Sequence, residues 1–230
     1  ITVTTNDGNK TATCAVTVAD RIFNASNMVT NNYYQINAVK RAEGTYSIVY
    51  VDSAVADSVT SVAAQAICAE FDTKIHNLIN TNFATESDVD GNGKIILLFL
   101  DIQDGFDPNT NPGYVAGYFD PTDLFSKNTY SVSNEADMIY LDVNPAEVGS
   151  TESYNTIAHE FQHLVNFNRT YITRGFQQDV WINEGLSSGA EYLYQGSQIQ
   201  ARIDYYNADP MDTIKYGNNF FVWDGYWEQQ

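Results

Sequence analysis

The chain has 230 residues, 43% of them hydrophobic, which suffices for a sizeable core in one large domain or one domain plus a fragment. Its formal net charge of −18, with only 11 Lys plus Arg, excludes a partner held mainly by phosphate contacts, so neither nucleic acid nor an anionic membrane surface is expected. No run of about 18 apolar residues suggests a membrane span, and two cysteines, Cys14 and Cys68, form neither a disulfide framework nor a Cys-based zinc site. Any metal must therefore be held by His and carboxylate. Sixteen tyrosines with abundant Asn and Thr fit a secreted or bacterial surface protein. The basic start and apolar core of a signal peptide are missing at Ile1, so a leader is expected upstream.

Residues 1–20 open with ITVTTNDGNKTATCAVTV, two Thr/Val-rich strands around an Asn-Asp-Gly-Asn turn, with Cys14, Val16 and Val18 on one face by alternation. An isolated hairpin is marginal in water. It is either the N-terminal hairpin of the main domain or the end of another module, and the stretch resembles the last two strands of bacterial Ig-like (group 2) repeats. Residues 21–44 read as a linker or lead-in segment. TYSIVYVD, Thr45 to Asp52, reads as a strand, and Ala56 to Asn80 as a long helix with Val59, Val62, Ala66, Cys68, Phe71, Ile75 and Leu78 near helical spacing. An acidic turn, DVDGNG, leads into a buried strand over Ile95 to Leu100. A Tyr/Gly/Pro-rich loop over Asp104 to Asn134 precedes another strand, DMIYLD, Asp137 to Asp142. Helices are expected from Ser153 through Phe167, over about Val180 to Tyr194, and from Asn218. A β-rich half thus precedes a helical half, an α+β chain.

Two of the three histidines lie in TIAHEFQHLVNF, Thr156 to Phe167. Residues four apart on a helix project from one face about 6 Å apart, so His159 and His163 can aim ring nitrogens at one point. Glu160 stands to one side of that point, where it can accept a proton rather than ligate. Catalytic zinc needs a third protein ligand and an open position. Downstream, WINEGLSSGAEYLY brings Glu184 twenty intervening residues after His163, on a segment with Leu186, Ala190 and Leu193 available to pack.

HEFQH with a downstream Asn-Glu resembles the gluzincin clan of zinc peptidases, and within it the hyicolysin-like neutral metallopeptidases of bacteria. The segments SNEADMIYLD, TIAHEFQHLVNFN, WINEGLSSGAEYL and KYGNNFFVWDGYWEQ stand in the order and style of that family, with DVDGNGKIILLFLDI upstream. The resemblance implies a zincin-like catalytic domain over residues 45–230, either whole or truncated at its C-terminus. It implies zinc held by His159, His163 and Glu184, with Glu160 as general base acting on a protein or peptide substrate. The Asp that in thermolysin-type members follows the ligand Glu by four residues is here Ser188, so the partner of the first zinc histidine must come from elsewhere: Glu191, Asp142 or a backbone carbonyl. Nor does any histidine follow His163 to stabilise an oxyanion, so the candidates are Tyr192, Tyr216 and Tyr226 or, if the chain is cut off near Gln230, a residue beyond it. No Gly-x-Met-Glu-Asn strand is present to capture a free amino terminus, which favours endopeptidase action.

If DMIYLD is the sheet edge beside the cleft, it offers an extended peptide a strand to pair with. Asp88, Asp90 and Asn92 match the first ligand positions of a calcium loop, but the twelfth position is Phe99 rather than a bidentate Glu. A plain Asp/Gly turn and a calcium site both remain readings of that stretch. His76 reads as structural. The competing class for the whole chain is a non-catalytic, zinc-containing surface binding protein.

Overall fold

A computed structural model describes residues 20–208, together with the short strands β1 (Thr2–Thr4) and β2 (Thr11–Thr13). These two pair antiparallel, Thr2 opposite Thr13; Cys14, Val16 and Val18 lie outside the described residues.

The main sheet has six strands. Its first two, β3 (Arg21–Asn27) and β4 (Asn32–Glu43), occupy the segment read from sequence as a linker. That reading is corrected: Phe23, Ala25, Ile36 and Ala38 alternate inward and are buried, while the polar majority of both strands faces outward and hides the pattern. The hairpin closes where the Asn27 side chain accepts from the Val29 and Thr30 N–H groups and Asn31 adopts φ 56°. Strand β5 (Ser47–Asp52) pairs antiparallel with β4 and parallel with β6 (Ile95–Leu100), which in turn runs parallel to β8 (Met138–Asp142).

Every residue of β6 and β8 is buried, as expected for strands covered on both faces. Ile95, Leu97 and Phe99 face the helices; Ile96, Leu98 and Leu100 join Phe23, Ile36, Met138 and Tyr140 in a second core on the opposite face. The expected edge position of DMIYLD is also corrected. Strand β8 lies inside the sheet, and the edge is β7 (Gly117–Tyr118), two residues of the Tyr/Gly/Pro-rich loop that pair antiparallel with Leu141 and Tyr140.

The long helix starts later than its apolar spacing suggested. Thr60 caps it by accepting from the Ala63 N–H. It then runs as α1 (Ser61–Glu70), a π-helical segment over Phe71–Ile75, and α2 (His76–Asn82). Helix α3 (Thr151–Phe167) begins at Ser150, whose hydroxyl accepts from the Ser153 N–H, and buries Ile157, Ala158, Phe161, Leu164 and Val165 against the sheet. Helix α4 (Val180–Gln195) packs along α3 and ends at Gly196, whose φ of 72° suits the left-handed cap. A further helix, α5 (Gln200–Ala208), has no counterpart in the sequence reading. The helix expected from Asn218 lies outside the described residues.

Candidate metal centre

Helix α3 presents His159 and His163 one turn apart, with ring centroids 4.8 Å apart, because its opposite face is committed to the core. Helix α4 brings Glu184 over both. One carboxylate oxygen lies 3.4 Å from His159 Nε2 and the other 3.5 Å from His163 Nε2. All three residues offer ligand atoms within 4.8 Å of one another. Two imidazole nitrogens and a carboxylate converging on one point fit a zinc ion with room for a further ligand.

Glu160 sits beside this point and is 8% exposed. Burial pushes its pKa up to about 7, against the charge of His159, and its carboxylate accepts the Phe119 backbone N–H. Phe119 directly follows the edge strand β7, and Gly117 explains how that strand comes so close. A Cβ there would lie 2.8 Å from Thr156 Cγ2, 2.9 Å from the Tyr140 carbonyl oxygen and 3.2 Å from Glu160 Cγ. Only a residue without a side chain lets the sheet edge rest on α3 next to this glutamate.

The two histidines are held differently. His159 Nδ1 donates to Glu191 Oε1 at 2.6 Å. Burial disfavours a charge on His159, but its hydrogen bonds with Glu184 and Glu191 outweigh burial and raise its pKa to about 10. For His163, burial and the neighbouring His159 act in the same direction and keep the ring neutral. A cation entering here meets one neutral ligand and must displace a proton from the other.

No family model matches the chain. Against curated proteins, it is 34% identical over 212 residues to "Neutral metalloprotease ShpI" of Staphylococcus hyicus. The chain is a relative of a neutral metalloprotease. The match covers 88% of this chain and 46% of that protein, so the chain spans about half the length of this relative.

For a relative of a metalloprotease, the departure at Ser188 needed an answer, and Glu191 supplies it from two turns beyond Glu184 on the same helix face. Ser188 instead donates to the Glu184 carbonyl. Asp142, the other named candidate, spends its oxygens on the N–H groups of Ile102, Asn144 and Ala146. Of the tyrosines, Tyr192 is exposed beside a cavity of about 360 Å³ with Ser188, Gly189, Gln198, Ile199 and Ile203. Tyr216 and Tyr226 lie outside the described residues.

A second cluster forms at the acidic turn. Asp88 and Asp90 meet Asp137, which the sequence reading did not include and which is 1% exposed. Asp88 accepts the Gly93 N–H, Asp137 accepts the Val89 N–H and the Ser87 hydroxyl, and Asn92 Nδ2 donates to Asp90. Asn92 Oδ1 accepts the Lys94 N–H. His76 pairs with Glu86 at 2.6 Å, stacks on Tyr46 and takes no part in either cluster.

Proposed function

We propose that the chain carries a gluzincin-type zinc endopeptidase site, in a secreted or cell-surface protein, with His159, His163 and Glu184 as ligands and Glu160 as general base. The observation that carries this reading is the convergence of His159 Nε2, His163 Nε2 and the two oxygens of Glu184 beside a buried glutamate that takes no place in the ligand set. The HExxH spacing, the Asn183–Glu184 pair and the metalloprotease relative support it independently.

Bound zinc would polarise the scissile carbonyl and acidify a water molecule. Glu160 would take the proton from that water and pass it to the leaving amine, a task suited to a carboxylate whose pKa burial has raised to about 7. The Phe119 N–H would help hold the Glu160 carboxylate in this role. Strand β7, as the sheet edge resting on α3, would pair with an extended peptide and lay its scissile bond along the helix. The intact, buried Glu160 favours this over a zinc-containing binding protein. Residues 1–20 would be either the end of an Ig-like module or the N-terminal hairpin of the catalytic domain itself.

Substituting Glu160→Gln keeps the size of the side chain and removes the base. Zinc stoichiometry should stay at wild type while casein cleavage disappears; cleavage at the wild-type rate would rule out Glu160 as the base.

A further inference from the structure

One partner of His163 is a residue that neither the HExxH pattern nor the Asn-Glu pair assigns. Ser187 is fully buried, and its Oγ lies 3.0 Å from His163 Nδ1, 2.6 Å from Gln162 Oε1 and 3.1 Å from the Asn183 carbonyl. Gln162 is also fully buried, and its Nε2 has no partner among the described residues. A buried amide with an unmet donor is destabilising, so its tolerance here asks for a reason.

We infer that Ser187 is a positioning residue for zinc: with Gln162 it holds His163 as the tautomer protonated at Nδ1, leaving Nε2 bare toward the metal. This rests on the zinc-peptidase reading above. The hydrogen-bond inventory supports it in both orientations of the Gln162 amide. With Oε1 toward Ser187, the hydroxyl hydrogen goes to Gln162 or to the Asn183 carbonyl. With the amide turned over, Gln162 donates to Ser187, and the hydroxyl hydrogen goes to Asn183. In each case a lone pair of Ser187 remains for His163 Nδ1–H, and the hydroxyl never needs to donate to the ring. The side chain of Asn183 also reaches His163, and it is the alternative holder against which Ser187 must be tested. Outer partners of this kind set the basicity and direction of a metal-binding imidazole.

The test uses the full chain with zinc as the probe, read by competition with a chelating indicator and by imidazole 15N spectra of the zinc-loaded protein. Ser187→Ala should lower zinc affinity by about 10- to 100-fold and speed exchange of the His163 Nδ1 proton. Ser187→Thr, which keeps the hydroxyl, should recover most of both. Gln162→Leu should cost less than Ser187→Ala, because the Asn183 carbonyl still takes the hydroxyl hydrogen. Unchanged zinc affinity and proton exchange in Ser187→Ala, with the wild type binding zinc, would overturn the inference and leave Asn183 as the holder. A wild type that takes up no zinc would overturn the peptidase reading and this inference with it. Should Ser187→Ala fail to fold, the zinc-loaded wild type decides. A cross-peak from His163 Nδ1–H to the Ser187 β-protons supports the inference; a proton on Nε2, or Nδ1–H contacts with Asn183 alone, overturns it.

Discussion

Two carboxylate-bearing clusters among the described residues differ in where their hydrogen bonds point. At His159, His163 and Glu184 the outer groups, Glu191 and Ser187, bind the far nitrogens of the rings, so that the near nitrogens face one shared point. At Asp88, Asp90 and Asp137 the donors bind the carboxylates themselves, from the backbone of Val89 and Gly93 and the side chains of Ser87 and Asn92. In the first arrangement the supporting bonds fall on the far side of the converging rings, whereas in the second they fall on the converging carboxylates, which also shape a turn. Proximity of acidic groups is common to both; the direction of the supporting bonds separates them.

The contrast should be strongest at the ligands. Glu184→Ala should abolish stoichiometric zinc uptake, whereas Asp88→Asn should leave it unchanged, both read by metal analysis after dialysis; zinc retained by the former would dissolve the distinction. Next, Glu191→Gln removes the charged acceptor of His159 Nδ1 and should weaken zinc binding by about 10- to 100-fold in a competition titration.

Third, Asp137→Ala strips the Val89 N–H and the Ser87 hydroxyl of their acceptor, which should cost about 1–3 kcal/mol in urea denaturation with no change in zinc affinity. Last, the raised pKa of His159 makes zinc binding proton-linked. The metal-free ring is protonated below about pH 10, so binding at pH 7–8 should release about one proton, and affinity should rise about tenfold per pH unit there. Calorimetry in buffers of different ionisation enthalpy measures that release; none at all would contradict the pairing of His159 with Glu184 and Glu191.

The centre itself was largely legible in the sequence because helical spacing is local. His159, Glu160 and His163 are read from one turn, and Glu184 and Glu191 sit on a second helix whose apolar positions mark its face. Ser187 and Gln162 were not legible, since their meeting depends on the packing of α4 on α3. Asp137 escaped for the same reason, standing 47 residues after Asp90 and arriving through the parallel pairing of β6 with β8. The segment 21–44 failed differently. Its inward residues, Phe23, Ala25, Ile36 and Ala38, include two alanines among many Asn and Tyr, too weak an alternation to outweigh the polar surround. The true sheet edge was hidden by brevity, because two residues of β7 leave no periodic trace and only the crowding at Gly117 shows why they lie where they do.

The most direct test of the whole account is proteolysis of casein by the wild-type chain before chelation, after chelation and after zinc is returned. Cleavage that a chelator abolishes and zinc restores, at one zinc per chain, is the predicted result. Cleavage that survives complete removal of the metal, or a zinc-loaded chain that cuts nothing, would contradict it.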